Sequence, residues 1–111
     1  MTGDTLTDRV RAALAQRTVS EVRMFGGLSF MVEGRMLVAV RPDDGLLARI
    51  DPQRHDELAG LPGASGAVMG KDRSMARGWI MIDSEHLETS TDLDFWLHQA
   101  LNYHAAQAPR A

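Results

Sequence analysis

The feature that most constrains this sequence is a run of four short strand-like segments joined by turns too tight to hold a helix. The segments are rich in β-branched, aromatic and methionine residues and cover Val19–Phe25, Leu28–Glu33, Arg35–Arg41 and Gly45–Ile50. Glu33-Gly34 and the stretch from Pro42 to Gly45 are typical of hairpin turns, because glycine accepts positive φ and proline fixes φ. Since a parallel pair needs a crossover of a dozen or more residues, these strands are expected to pair antiparallel.

Helices are predicted at both ends of the chain. Apolar residues recur at helical spacing over Thr5–Gln16 and again over Thr91–Ala106. In each helix the first residue is a threonine, and an aspartate follows three residues later (Asp8 and Asp94). This spacing predicts a capping pair at the start of each helix.

The middle of the chain adds a short helix, a long loop and a fifth strand. Asp51-Pro52 begins a helix that is expected to end near Ala59, since aspartate caps and proline suits the first helical turn. Residues 60–78 are rich in glycine and predict a loop, followed by a strand over Gly78–Ile82. The order of elements predicts a single α+β domain over residues 1–111. Its core is an antiparallel five-stranded sheet packed by the N- and C-terminal helices.

Composition excludes several classes of function. The 111 residues include no cysteine, which excludes disulfides, thiolate metal ligands, iron–sulfur clusters and cysteine nucleophiles. Twelve Lys and Arg against fifteen Asp and Glu give a formal net charge of -3, so contact with nucleic acid requires a local basic patch. No apolar run approaches the roughly 20 residues of a membrane span, and the N-terminus has no apolar signal core. We therefore expect a small cytoplasmic domain.

The residue types used in catalysis and metal binding do not occur at the spacings that a catalytic or metal site requires. His98 and His104 are six positions apart on the last predicted helix, about 240° around its axis, and so cannot hold one metal ion. No serine lies in a nucleophile elbow, and paired carboxylates such as Asp56 with Glu57 are typical of solvated helix faces. We expect no enzymatic activity, no metal and no cofactor.

The strongest candidates for contact with a partner lie in the basic segment 70–77. Lys71, Arg73 and Arg77 stand among small residues, where they could meet a phosphate or an acidic protein surface. A solvated charged loop is the alternative interpretation. Phe95 is a further candidate, because it lies about 160° from the centre of the apolar face of the last helix. We expect it to pack either on a second chain or under the long loop.

The segment Met24-Phe25-Gly26-Gly27-Leu28 is the most conspicuous local pattern. A glycine loop lets backbone amides approach an anion, but this one lacks the lysine of a phosphate loop and opens no helix. The pattern therefore favours a turn or bulge between two strands.

Taken together, these motifs resemble the N-terminal domain of the TfoX/Sxy family. The resemblance spans about residues 8–104 and rests on MFGGLSF (24–30), Gly34-Arg35-Met36, Asp44-Gly45-Leu46, Gly78-Trp79 and Trp96. It implies a secretion-chaperone-like α+β fold without catalytic residues. It also implies a relation to regulators of competence genes, thought to act as coactivators with the cyclic-AMP receptor protein. Regulators with that role usually carry a second, C-terminal helical domain, whereas we expect this chain to be a stand-alone domain.

Three functions are compatible with the sequence. The leading hypothesis is a protein-interaction module of the TfoX type, an accessory factor in transcription or competence whose partner is a regulator or polymerase. The second is nucleic-acid binding through Lys71, Arg73 and Arg77, and the third is a small ligand held under the 60–78 loop by Met69, Met75 and Trp79. A homodimer is expected, since it is the commonest assembly of small proteins of this kind.

Overall fold

The computed structural model describes residues 5–24, 27–67 and 77–107, which contain three helices and six strands. In chain order these elements are α1 (Leu6–Ala13), β1 (Ser20–Met24), β2 (Gly27–Val32), β3 (Arg35–Val40), β4 (Leu46–Arg49), α2 (His55–Ala59), β5 (Ala64–Gly66), β6 (Trp79–Ile82) and α3 (Ser90–Gln107). Two short 3-10 turns, Pro52–Arg54 and Ser84–His86, precede α2 and α3.

The six strands form one antiparallel sheet in the order β1-β2-β3-β4-β6-β5. The predicted antiparallel α+β fold is confirmed, with six strands instead of five. The additional strand is β5, which lies in the stretch predicted to be a loop. Its three small residues carry no strand signal of their own, and pairing with β6, Ala64 opposite Ile82, makes them a strand.

The helices pack on one face of the sheet. Phe30 and Val32 of β2 and Ile80 and Ile82 of β6 occupy alternate strand positions and belong to the main hydrophobic core. The helical side chains of the same core are Leu6, Val10 and Leu14 at α1, Leu58 of α2, and Leu93, Trp96, Leu97 and Ala100 of α3. Side chains alternate between the faces of a strand. A smaller cluster with Leu47 therefore lies on the opposite face.

Local capping fixes where the two long helices begin. The pair predicted at α1 is confirmed, since Thr5 Oγ1 accepts the N–H of Asp8 at 3.1 Å. At α3 the prediction was wrong by two residues, because the Thr-x-x-Asp spacing occurs twice, at 89–92 and 91–94. The structure uses the earlier copy: Thr89 Oγ1 accepts the N–H of Asp92 at 3.0 Å, and α3 starts at Ser90.

The glycine motif joins the first two strands of the sheet. Met24, the last residue of β1, is opposite Gly27, the first residue of β2. Residues 25 and 26 lie outside the described residues, and the strands on either side of them are antiparallel neighbours. The turn or bulge predicted for the motif therefore falls outside the described residues.

Candidate interaction surface

The structure describes two of the four residues that are predicted from the sequence to contact a partner. Lys71 and Arg73 lie in segment 68–76, outside the described residues, as do Met69 and Met75 of the ligand-cleft hypothesis. Arg77 precedes β6, and Phe95 lies in the first half of α3. The site is therefore built from these two residues outward.

Arg77 is held in an ion pair with the first turn of α2. Its Nη1 and Nη2 atoms donate to the two carboxylate oxygens of Asp56 at 3.2 and 3.0 Å, a bidentate geometry. The hydrogen bond to Arg77, supported by its charge, lowers the pKa of Asp56, and the same bond raises the pKa of Arg77. Both side chains are exposed, 56% for Arg77 and 83% for Asp56. The pair therefore lies at the surface, in contact with solvent.

The backbone beside Arg77 is fixed from two sides. The N–H of Gly78 donates to Nδ1 of His55 at 2.9 Å, and the carbonyl of Gly78 accepts the N–H of Ile50 at 2.7 Å. Gly78 has a φ of +100°, which L side chains rarely adopt, so glycine is required here. These contacts hold the start of β6 against the start of α2, and they set the position from which Arg77 reaches Asp56.

Phe95 is on the solvent side of α3, as its place on the helical wheel predicted. Its side chain is 39% exposed, and its ring contacts that of buried Trp96 edge-on, with centroids 5.1 Å apart. One helical turn later, Gln99 accepts a hydrogen bond from Arg54, which also pairs with Glu57 at 3.0 Å. Residues four apart share a helix face. Phe95 therefore lies beside the polar contact between α3 and the start of α2.

These contacts join the two predicted residues into one surface. We call it the α2–α3 surface and define it by Arg54, Asp56, Arg77, Phe95 and Gln99. Arg54 binds Gln99 of α3, and Asp56, two residues later in the chain, binds Arg77. The surface combines an exposed aromatic ring with paired charges. Aromatic and arginine side chains are enriched in protein–protein contacts, so the arrangement suits recognition of another protein.

A second cluster of the same residue types escaped the sequence analysis. The guanidinium of Arg49 lies 4.9 Å from the ring centroid of Trp79 and 5.7 Å from that of Tyr103. Arg49 and Trp79 are directly opposite in the β4–β6 pair, which joins strands 30 residues apart in the chain. The sequence names Trp79 as a candidate for the ligand hypothesis, but without that strand pairing nothing in it brings Arg49 to Trp79. Trp79 packs with the smaller cluster around Leu47, so this aromatic and arginine group is separate from the α2–α3 surface.

The described residues also form a groove beside α3. An open groove of about 660 Å³ lies between the C-terminal part of α1 and α3, with Arg17, Asp94 and His98 among its lining residues. Within the described ranges, no three His, Cys, Asp or Glu side chains are grouped so as to hold a metal ion. No helix in that part of the chain is both long and apolar enough to cross a membrane.

Comparison with known proteins identifies a family for this chain. The family model of the TfoX N-terminal domain matches residues 11–103. The matched range contains every residue of the α2–α3 surface. No curated protein matches the chain.

Proposed function

Because the chain belongs to the TfoX N-terminal domain family, we propose that it is a non-catalytic protein-interaction module and an accessory factor in transcription, including the regulation of competence. The family match carries this proposal. A regulatory role would place the protein in the cytoplasm, beside the machinery it modulates. The partner would be a transcription regulator or a polymerase subunit.

The α2–α3 surface is the proposed contact with that partner. Phe95 is one of two large hydrophobic residues that are exposed in the described part of the chain, and Arg54 binds Gln99, one helical turn after it. An aromatic anchor rimmed by polar groups is the usual anatomy of a protein–protein contact. The exposed ion pairs exchange at small cost, since surface pairs contribute little to stability. They can therefore reorganise when a partner docks.

The test is affinity purification from the protein's own cell lysate, with and without nuclease, followed by mass spectrometry and by measured affinity for the captured partner. Wild type is compared with Phe95→Ala and with Arg77→Ala. The control is Glu85→Ala, which removes an exposed side chain outside the surface. We expect a nuclease-resistant regulator or polymerase subunit, bound at least about tenfold more weakly after Phe95→Ala and unchanged after Glu85→Ala.

Other outcomes contradict the proposal in distinct ways. Partners that disappear with nuclease would point to nucleic acid as the target, in which case binding should also weaken steeply with salt. A partner bound equally by wild type and both surface variants would remove the assignment to the α2–α3 surface. Phe95→Ala also removes the edge-on contact with Trp96, so circular dichroism must show that the variant is folded at the assay temperature, which separates a lost contact from a lost fold.

A further inference from the structure

One edge of the sheet is a regular strand with no neighbour in the described part of the chain. β1 pairs only with β2, over five residues and without a bulge. Natural proteins usually protect such an edge with proline, a bulge or charged side chains, lysine above all. The sequence Ser-Glu-Val-Arg-Met has neither proline nor lysine, and Val22 at its centre is 41% exposed. The two charges of β1 have opposite signs, so its outer edge is a template for a strand that can pair with both of them.

The charges of β1 are complementary to themselves. Glu21 and Arg23 stand on either side of Val22, and all three side chains are exposed. Directly opposed residues of an antiparallel pair point to the same face of the sheet. We consider two copies whose helices lie on the same face of the joined sheet. Their β1 strands can therefore pair only in registers in which one residue of β1 is directly opposite the same residue of the second copy.

Registers centred on the three middle residues of β1 were compared, and only one of them places unlike charges opposite each other. Centred on Val22, the pairing places Glu21 of each copy opposite Arg23 of the other. Centred on Glu21 or on Arg23, it places two like charges directly opposite, which is destabilising. The contact of Glu21 with Arg11, at 2.7 and 2.8 Å, holds the carboxylate on the helix side of the sheet, on the face where Arg23 of a second copy would arrive.

We propose that β1 is the interface of a symmetric homodimer, in which the β1 strands of two copies pair antiparallel with Val22 facing Val22. The two sheets then become one twelve-stranded sheet, and the exposed edge disappears. The interface is isologous, as two-fold dimers require. The self-complementary sequence of β1 selects a second copy of this chain over a strand of another protein.

Cysteine cross-linking tests the register directly, because the chain has no cysteine of its own. Val22→Cys places two thiols on directly opposed residues, whose Cβ atoms are about 4.5–5.5 Å apart in such a pair and within reach of a disulfide after a small adjustment. The matched control is Ser20→Cys, also exposed and on the same face of β1. Its two copies are four strand positions apart, about 14 Å. After mild oxidation of dilute protein, we expect a covalent dimer for Val22→Cys and monomer for Ser20→Cys.

Charge reversal tests the pairing without a cross-link. Arg23→Glu places Glu opposite Glu21, and Glu21→Arg places Arg opposite Arg23, so each variant alone should dimerise at least about tenfold more weakly than wild type by sedimentation. Mixed in equal amounts, the two variants regain unlike pairs, and native mass spectrometry should show the heterodimer. Arg17→Glu, an equal charge change outside β1, should dimerise like wild type.

The outcomes are decisive in either direction. A monomeric wild type at high concentration, equal cross-linking of Val22→Cys and Ser20→Cys, or variants that do not prefer each other when mixed would each overturn the proposal. Circular dichroism of every variant confirms that a lost dimer is not a lost fold. These results are independent of partner capture, which depends on the α2–α3 surface, because α2 packs near the other edge of the sheet.

Discussion

Replacement of Gly27 by alanine should destabilise the protein strongly. Gly27 begins β2, and a Cβ atom at this position would overlap the carbonyl oxygen of Val40 in β3. The next pair along, Leu28 opposite Val40, belongs to the ladder between these strands. The obstacle is backbone, so the end of the ladder must shift by on the order of 1 Å to restore normal contact. Overpacking usually costs about 1–3 kcal/mol, and we expect the upper part of that range here.

Urea unfolding, followed by circular dichroism, measures this loss. At an m-value of about 1.5 kcal/mol per M, a loss of about 2–3 kcal/mol lowers the midpoint by about 1.3–2 M. Gly60→Ala is the matched control, since Gly60 has a φ of -85° and a Cβ there would meet only ordinary contacts. Its free energy of unfolding should stay equal or rise by about 0.4–1 kcal/mol. A Gly27→Ala protein within about 0.5 kcal/mol of wild type would refute the steric argument.

Two further predictions concern polar contacts. Arg77→Ala should raise the pKa of Asp56 toward the unperturbed value of about 3.9, measured by NMR titration of the carboxyl carbon. The stabilisation by this pair is present above the unfolded-state pKa of Asp56 and is lost as pH falls through its lower folded-state pKa. A pKa of Asp56 that is the same in wild type and in Arg77→Ala would contradict the pairing. Glu33→Ala removes the acceptor, at 3.0 Å, of buried His104 and should lower the free energy of unfolding by about 1 kcal/mol in urea. A loss below about 0.3 kcal/mol would show that the contact contributes little.

Local signals were enough to predict most of the fold. Tight turns around Gly34 and Gly45 force neighbouring strands to pair antiparallel, and these two connections appear as predicted. β5 could not be predicted, because Ala64–Gly66 is a strand only by virtue of β6, which follows 13 residues after Gly66. The start of α3 was misplaced for a different reason: two overlapping capping patterns occur in the sequence, and the structure uses the one at Thr89.

The candidate site was predictable only in part. A helical wheel is a local calculation, so the exposure of Phe95 followed from the sequence. The partner of Arg77 could not be predicted from the sequence, because Asp56 is 21 residues away and nothing local selects it among the fifteen acidic residues of the chain. The packing of Arg49 between Trp79 and Tyr103 also depends on strand order, which no single segment encodes.

Strand order also determines how the two proposed interfaces relate. β1 lies at one edge of the sheet, whereas α2 packs against β5 and β6 near the other edge. Neighbouring strands are about 4.8 Å apart, so nine spacings separate the β6 strands of a β1-paired dimer, about 43 Å. Each copy would thus present its α2–α3 surface outward, and a two-fold symmetric partner could engage both surfaces with increased avidity. Since the interfaces share no residue, Phe95→Ala should leave the Val22→Cys cross-link unchanged, and a reduced cross-link would show that the two surfaces are not independent.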